Sequence, residues 1–285
     1  MKVLPFKIPK TEASSLYLQT DDEQYFYDML HQHPEIQITW IISGEGTLIH
    51  GDHLGSFKSG QIFVMGSNVP HVFRCDKKYY EQEMRVLSKS IFFRAEHLRE
   101  TSKLFPEIRE LLQFIQNAER GIRVKDDFSP QMISAFEKVF ETNGLKRLNS
   151  FFELLHLFGN EESIAYLNEL PQKSVKEAEG RRLDDIFRFT LENFGRRITL
   201  EEVAEVANMN KASFCRYFKQ HTRKTYIDFL NDYRIGQACK LLLNKDNTVS
   251  QVCYESGFSN LSNFNRKFKE VTSKTPREYR GMTKA

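Results

Sequence analysis

Apolar residues recur at helical spacing in two stretches of the C-terminal third of this 285-residue chain. The spacing i, i+3, i+4 and i+7 places their side chains on one face of an amphipathic helix. The apolar or small positions are Leu200, Val203, Ala204 and Ala207, and then Val249, Val252, Cys253 and Ser256. A basic aromatic segment follows each stretch, and the two segments repeat one pattern fifty residues apart. The aligned residues are Phe214, Arg216, Phe218 and Lys219 with Phe264, Arg266, Phe268 and Lys269. The repeat predicts two helix-turn-helix units.

The second helix of each predicted unit has an aromatic face and a polar face. Phe214 and Phe218 are four residues apart and share one buried stripe. Arg216 lies two residues from each Phe, about 200° around the helix, and therefore faces outward. In a major groove Arg pairs with guanine and Asn pairs with adenine, so such a helix suits DNA recognition. A helical bundle with a basic surface is the alternative.

Local signals mark the ends of these helices. Gly257 supplies a turn in the second copy, where Ser259 or Asn260 is the expected cap, and Asn210 is the expected cap in the first. Between the copies, residues 226–243 form one long helical pattern, which spans roughly 27 Å at about 1.5 Å per residue. With its flanking turns, this helix holds the two polar faces near the ~34 Å that separates successive major-groove faces of B-DNA.

The first ninety residues show a different periodicity. Ile36, Ile38, Trp40 and Ile42 alternate with polar or outer positions, and short apolar stretches follow at 47–49, 62–65, 71–73 and 84–87. Short strands separated by Gly, Asn, Asp and Pro turns are typical of an all-β sandwich or barrel.

Helical patterns occupy the middle of the chain. Residues 105–121, 129–144 and 148–158 each carry an apolar face, and Ser129-Pro130 is a typical helix start. Either these helices form a dimer interface or they pack only against their own barrel. Residues 171–180 are polar and charged without periodicity, which predicts a linker.

Charge and cysteine usage refine this picture. Residues 181–285 contain 20 Lys and Arg against 12 Asp and Glu, a net charge of +8, whereas residues 1–180 contain 21 against 26, a net charge of −5. Positive charge therefore concentrates in the predicted DNA-binding half. The four cysteines show no paired spacing, and no apolar segment indicates a signal peptide or a membrane span. We expect a soluble protein of a reducing cytoplasm.

The last hundred residues resemble the AraC/XylS family of bacterial transcription regulators. The most specific piece is GFSNLSNFNRKFK, residues 257–269, followed by TPREYR at 275–280. The resemblance implies base-facing roles for Ala212, Cys215 and Arg216 in the first unit and for Ser262, Asn263 and Arg266 in the second. Two turn positions depart from the family, which usually has Gly where this chain has Arg223 and Ser273. Asn210, Lys211, Lys219, Asn260, Lys267 and Lys269 complete the predicted DNA-binding set; further phosphate candidates are Lys224, Arg234 and Lys240.

The N-terminal half resembles the two half-motifs of a cupin, at residues 31–35 and 60–71. Cupin enzymes hold a metal with two His and a Glu from the first half-motif and one His from the second. His31, His33 and His71 match this pattern, but Gln37 stands where the carboxylate is expected. Two interpretations stay open: a metal site, or histidines that line a pocket or have only structural hydrogen bonds. The neutral amide favours the second interpretation, without a cofactor. The expected effector-binding residues are His31, His33, Glu35, Gln37, Trp40 and His71, with the aromatic residues Tyr25, Phe26 and Tyr27 nearby.

These observations predict an α+β protein of two domains. The expected parts are a cupin-like effector-sensing barrel at 1–95, a helical dimerisation region at 96–170, a linker at 171–180 and an all-α DNA-binding domain at 181–285 with helix-turn-helix motifs at 199–219 and 248–269. We expect a homodimeric transcription regulator, an activator by resemblance, whose partners are promoter DNA, a small effector such as a sugar, and RNA polymerase. The alternatives are a metal-dependent cupin enzyme with a DNA-targeting domain and a ligand-independent regulator whose barrel only dimerises.

Overall fold

The structure is a computed structural model that describes residues 14–282. The chain divides between Gly180 and Arg181 into two compact units. The first unit is rich in β-strands and the second is helical.

The strands of the N-terminal unit form two antiparallel sheets. A large sheet has the strand order β1-β7-β2-β5-β8-β9, and a small sheet has the order β4-β3-β6. The strands are β1 (Leu16–Glu23), β2 (Glu35–Ser43), β3 (Gly46–His50), β4 (His53–Phe57), β5 (Ile62–Met65), β6 (His71–Cys75), β7 (Val86–Arg94), β8 (Ile122–Val124) and β9 (Ile164–Tyr166).

The two-residue period of the strands directs alternate side chains of the large sheet to its two faces, and apolar residues contribute to both. Ile36 and Ile38 of β2 lie on the face that packs against helices. Ile41 lies on the opposite face, where it packs with Leu48 and Phe73 of the small sheet. The large sheet is therefore the middle layer of three and is buried on both sides.

We predicted a barrel over residues 1–95, but the strands form open sheets and not a closed barrel. A closed barrel gives every strand two hydrogen-bonded neighbours, but β1, β9, β4 and β6 are edge strands in the described residues. Strand β5 pairs with β8 on its second side and not with the small sheet. Since β8 and β9 come from later in the chain, they extend the large sheet as an open layer.

Between residues 14 and 180, five helices belong wholly to the N-terminal unit, and most of their buried residues pack on the large sheet. They are α1 (Lys78–Glu81), α2 (Ala95–Leu104), α3 (Leu112–Ala118), α4 (Ser129–Glu141) and α5 (Gly144–Leu157). The helix predicted at 105–121 is divided, because a 3₁₀ segment at Pro106–Leu111 precedes α3.

The segment predicted as a linker is tied to the N-terminal unit along its first half. The amide of Gln172 donates to Asp52 Oδ1 over 3.1 Å. The side chain of Gln32 bonds to both backbone groups of Val175, with distances of 2.8 and 3.1 Å. Helix α6 then begins at Glu177.

The C-terminal unit repeats one arrangement of helices. Its helices are α6 (Glu177–Asn193), α7 (Leu200–Val206), α8 (Lys211–Thr222), α9 (Tyr226–Leu243), α10 (Val249–Glu255), α11 (Leu261–Thr272) and α12 (Pro276–Met282). Helices α7 and α10 have seven residues each, and α8 and α11 have twelve each. Thr199 and Thr248 begin the two copies with complete capping boxes. The predicted helix at 226–243 is confirmed as α9.

Aromatic packing repeats with the helices. The Phe218 and Phe229 rings meet edge to face at 5.3 Å, and Phe268 and Tyr279, each fifty positions later, meet edge to face at 5.6 Å. Phe214 is fully buried beside Phe218, as the equivalent aromatic residue is in the second copy. Both copies therefore bury the same stripe and expose the same face.

Helices α8 and α11 end on residues with left-handed backbone conformations. Arg223 has φ 56° and Ser273 has φ 60°. Their backbone N–H groups donate to Lys219 O and Lys269 O, which closes the last turn. These are the two positions where the resembled family usually has Gly, which adopts this conformation without a Cβ penalty.

We predict that Ser273→Gly stabilises the protein. Removal of the Cβ relieves the left-handed strain, and this gain exceeds the entropy cost of glycine, for a net of about 0.5 kcal/mol or more. The matched control is Ser262→Gly at the second residue of α11, where the backbone is right-handed and glycine costs up to about 0.5 kcal/mol. Urea unfolding, followed by circular dichroism, measures the change in the free energy of unfolding for both variants. If both substitutions stabilise the protein or both destabilise it, this account of the turn is contradicted.

Candidate nucleic-acid interface and effector cavity

The outward face of α8 carries a row of small and basic side chains. Lys211, Ala212, Cys215, Arg216 and Lys219 are all exposed, whereas Phe214 and Phe218 between them are fully buried. On α11, Ser262, Asn263, Arg266 and Lys269 are exposed in the same way. The buried aromatic pair of each helix fixes which side chains project outward.

Asn210 and Asn260 are the residues immediately before α8 and α11. Asn210 Oδ1 accepts from the Ser213 N–H over 2.9 Å, and Asn260 Oδ1 accepts from the Asn263 N–H over 2.8 Å. Both caps are confirmed, and in the second copy the cap is Asn260. Their side-chain oxygens therefore hold the helix start, beside the exposed face.

Arg266 is held in place on the surface of α11. Its Nη2 donates to Asn263 Oδ1 over 2.9 Å, and its Nη1 lies 3.4 Å from Glu270 Oε2. Arg216 has the equivalent partner, with Nη2 3.4 Å from Ser213 Oγ. Partners three residues earlier orient both guanidinium groups along the exposed face.

Lys267 departs from the expectation of an outward phosphate contact. Its side chain is only 16% exposed and lies 3.6 Å from Asp228 of α9 and 3.2 Å from Glu270. Arg234 also makes hydrogen bonds within the domain, because its guanidinium donates to the carbonyls of Phe194 and Arg196. These cations hold the domain together, whereas Lys219 and Lys269 are exposed.

A cavity of about 160 Å³ lies in the N-terminal unit between the two sheets. Polar side chains of β1, β2 and β7 line one wall, and β6 and the segment before β2 complete it. The lining residues are Gln19, Asp21, Glu23, Phe26, Tyr27, His31, Gln37, Thr39, Ile41, His71, Phe73, Ser88, Ser90 and Phe92. No Lys or Arg is among them.

The structure brings together some of the predicted effector residues and separates others. His31, Gln37 and His71 line the cavity, and the buried His33 lies behind them, with its Nε2 3.1 Å from Gln37 Oε1. Trp40 was expected in the pocket but lies on the helix-facing side of the large sheet, with its ring 6.1 Å from that of Phe136. Successive side chains of a strand point to opposite faces, so Trp40, three residues after Gln37, points away from the cavity.

Glu35 and Tyr25 also lie outside the cavity lining. Glu35 Oε1 is 3.3 Å from Arg94 Nε, and the Tyr25 ring stacks on Tyr80 at 4.6 Å. Sequence reasoning missed Gln19, Asp21, Ser88 and Ser90. The alternating polar residues of β1 were an available signal for the first two.

The side-chain amide of Gln37 lies against the cluster of three histidines. Gln37 Oε1 lies 3.1 Å from His33 Nε2 and 3.2 Å from His71 Nε2. His31 and His71 bond to each other through both backbone groups, which pins the two rings 4.5 Å apart. Burial lowers the pKa of His31 to about 4 and lowers the pKa values of His33 and His71. The three imidazoles are therefore neutral near pH 7.

The donor set fits a transition metal in type and orientation. The Nδ1 atoms of His31, His33 and His71 lie 2.8, 3.0 and 2.8 Å from backbone carbonyl oxygens. A carbonyl accepts only a proton donor, so in each neutral ring Nδ1 carries the hydrogen and Nε2 carries the lone pair. One ligand atom from each ring lies within 4.8 Å of the others. Imidazole nitrogens suit Zn²⁺, Ni²⁺, Cu²⁺ and Fe²⁺.

Comparisons with known proteins agree with the geometry of the C-terminal unit. The family described as "Helix-turn-helix domain" matches residues 203–282. The HTH-type transcriptional activator RhaR of Mannheimia succiniciproducens is 23% identical over 88% of this chain and 86% of its own length. The uncharacterized HTH-type regulator YdeC of Bacillus subtilis is 36% identical, but the match spans only 30% of either protein. The crystal structure of ToxT from Vibrio cholerae covers 95% of this chain and 99% of its own, at 14% identity and a TM-score of 0.38.

Two helix-turn-helix units with exposed basic faces define a DNA-binding transcription regulator. The C-terminal unit is therefore an AraC-type helix-turn-helix domain, and the similar proteins RhaR and YdeC are described as transcription regulators. In residues 14–282 we find no helix with the length and apolar character needed to cross a membrane.

The exposed Lys269 and the ion-paired Lys267 of α11 allow the predicted phosphate contact to be tested against a control on the same helix. We predict that Lys269→Ala reduces the slope of log affinity against log salt by about 1, because one phosphate contact is lost. Lys267→Ala leaves that slope unchanged, since its cation is paired with Asp228 and Glu270. Fluorescence anisotropy with promoter DNA at several salt concentrations measures both. Equal reductions would contradict the assignment.

Proposed function

We propose that this regulator activates transcription in response to a small molecule bound in the N-terminal cavity, and that it acts in the cytoplasm. The main observation that supports this proposal is the repeated exposed face of α8 and α11, which suits two successive major grooves. Helix α11 offers Arg266 and Asn263, whose side chains pair with guanine and adenine. Helix α8 offers Arg216 beside the small Ala212 and Cys215, a surface suited to thymine methyl groups and phosphates.

The lining of the cavity supports an uncharged, hydroxyl-rich effector such as a sugar. Asp21 is held by Gln19 over 2.6 Å and by Ser88 over 3.2 Å. No lining cation offsets this carboxylate, so an anionic ligand is repelled. The rings of Phe73 and Phe92 offer apolar faces beside the polar wall. At about 160 Å³ the cavity is smaller than the roughly 300–1,000 Å³ sites of drug-sized ligands.

We also propose that the protein acts as a homodimer and contacts RNA polymerase at the promoter. Exposed apolar residues on the helical layer of the N-terminal unit support dimerisation. Leu104 is 77% exposed, Phe105 57% and Leu145 82%. Effector binding would then change the equilibrium between dimer arrangements with different affinities for DNA. The contact with RNA polymerase rests on the family resemblance alone.

The DNA assignment is tested with Arg266→Ala. We predict that the variant loses about 1–3 kcal/mol of affinity for its promoter site and discriminates less at one base position. Arg109→Ala, an exposed residue of the N-terminal unit, is the control and leaves binding unchanged. Mobility shifts with a library of single-base substitutions measure affinity and discrimination together. Undiminished specific binding by Arg266→Ala would remove α11 from the proposed interface.

The effector assignment is tested by a pair of ligands that differ in one charge. We predict that a neutral pyranose binds at least about tenfold more tightly than its uronic acid, and that Asp21→Asn narrows this difference. Calorimetric titration over a panel of pyranoses and matching acids provides the measurement. If no compound binds a folded protein, a regulator whose N-terminal unit only dimerises is favoured. Turnover of a bound compound would favour the enzyme alternative.

A further inference from the structure

The segment that leads from β9 to α6 is bound to the N-terminal unit along most of its length. The backbone N–H groups of Leu167, Asn168 and Gln172 donate to carbonyl oxygens of residues 119–121 over 3.0, 2.9 and 2.9 Å. We call residues 167–175 the strap. A flexible linker has a solvated backbone, whereas the strap bonds three of its N–H groups to the protein. The strap is therefore an ordered part of the N-terminal unit.

Side chains hold the strap at three further points. Asn168 Nδ2 lies 2.9 Å from His50 Nδ1, and Gln172 Nε2 donates to Asp52 Oδ1 over 3.1 Å. His50 ends β3, and Asp52 lies in the turn before β4. The third contact is made by Gln32, in the segment before β2. Two separate parts of the chain therefore contact the strap.

Gln32 bonds to the backbone of the strap as a neighbouring β-strand would. Its Nε2 donates to Val175 O over 2.8 Å, and its Oε1 accepts from the Val175 N–H over 3.1 Å. The next residue, Lys176, already takes part in the first turn of α6, because its carbonyl oxygen accepts from the Gly180 N–H over 2.9 Å. A single residue therefore separates the Gln32 contact from α6.

The position of Gln32 in the sequence connects the strap with the cavity. Its neighbours are His31, which lines the cavity, and His33, whose ring lies 6.0 Å from that of His31. His31 forms an antiparallel bridge with His71 of β6, so the backbone is extended here. Side chains alternate in direction along an extended backbone, so Gln32 faces the strap and the two rings face the histidine cluster. A ligand that displaces His31 would move the backbone that carries Gln32.

The first end of the strap is held more firmly than the second. Asn168 is 3% exposed, and the His50 ring that it contacts is inaccessible to solvent. Gln32, in contrast, is only partly buried. Local opening requires the least free energy where hydrogen bonds reach solvent, so the strap opens first at Val175.

We propose that Gln32 is the residue through which an occupied cavity controls the start of α6, and that its two bonds to Val175 break when a ligand displaces His31. This step rests on the proposed sensor function. With Gln172 still bound, the break releases residues 173–176. Four extended residues span up to about 14 Å, because each contributes at most ~3.3–3.6 Å. The helix that leads into the DNA-binding unit is then tethered by a flexible segment.

The release has a consequence for DNA binding. The length of a tether determines which pairs of sites two linked binding units can occupy together. In the proposed dimer, a longer tether before α6 lets the two DNA-binding units reach sites at more separations. Gln32 therefore acts as a positioning residue, and it contacts neither the effector nor the DNA.

The first experiment measures opening of the strap in the full chain, without DNA or effector. Trypsin cuts after Lys173 and Lys176, which are exposed and lie on either side of Val175. Cleavage requires a locally open chain, so its rate reports the population of the open strap. Gln32→Ala is expected to raise cleavage at these two bonds about tenfold, because two neutral hydrogen bonds are lost. Mass spectrometry of the fragments identifies each bond.

Two controls separate release of the strap from a general loss of stability. Gln113→Ala removes the same kind of side chain from the exposed face of α3 and is expected to leave all rates unchanged. Cleavage after Lys89, in the middle of β7, requires unfolding of the sheet and is expected to stay constant in Gln32→Ala. Unchanged cleavage after Lys173 and Lys176 in Gln32→Ala, or an equal rise after Lys89, would show that Gln32 does not hold the strap.

The second experiment fills the cavity with a group of known size. Ser88→Cys places a thiol in the cavity lining, and 2-hydroxyethyl methanethiosulfonate attaches a short neutral hydroxyl group to it through a disulfide. The attached group is expected to raise cleavage after Lys176 about fivefold or more relative to the unmodified variant. Wild-type protein treated with the same reagent, which modifies the exposed Cys215, is the control and keeps its original rate.

Two results would overturn control of the strap by the cavity. One is a thiol at position 88 that stays unmodified in the folded chain, since no such group then enters. The other is an attached group that leaves cleavage after Lys176 unchanged. A pyranose that binds in the calorimetric titration without altering this cleavage would refute the strap mechanism and leave the sensor function intact. The expected rise on labelling, with no pyranose bound, would support the strap and contradict the proposed effector class.

Discussion

The burial of two aromatic pairs against the C-terminal core is the interaction on which the rest of the DNA-binding unit depends. Phe214 and Phe218 on α8 are fully inaccessible to solvent, as are the equivalent residues Phe264 and Phe268 on α11. Each pair occupies one stripe of its helix, so the rotation of that helix about its axis is fixed. The direction in which Arg216 and Arg266 project follows from this packing. Core packing therefore determines which side chains face outward, and contacts within each helix then orient the two guanidinium groups.

The two copies share their framework but not their surface chemistry. Caps, helix lengths and edge-to-face ring contacts recur fifty positions apart. The exposed face of α8 has Ala212 and Cys215, whereas that of α11 has Ser262 and Asn263. Groups that hydrogen-bond to bases are thus more numerous on α11. We infer that α11 carries more of the base discrimination and that α8 contributes more through phosphates and apolar contacts.

The sequence predicted the parts of the fold that have long, regular periodicity. Helix α9 and strand β5 have the predicted bounds, because each is bordered by clear turn or cap residues. Strands β8 and β9 were missed, since three residues are too few to display alternation, and their pairing determines that the large sheet stays open. The histidine cluster was predicted from motif order. The prediction that Trp40 lines the pocket could have been avoided, because residues 37 and 40 of one strand point to opposite faces of the sheet.

The central claim is that α8 and α11 enter two successive major grooves of one DNA site. Methylation interference on a promoter fragment, which reports guanine contacts in the major groove, tests it most directly. The account predicts two clusters of interference separated by about one helical turn, roughly 10 base pairs. Arg266→Ala should remove one cluster and Arg216→Ala should weaken the other. A single cluster, or the loss of the same cluster in both variants, would contradict the claim that the two helices read separate grooves.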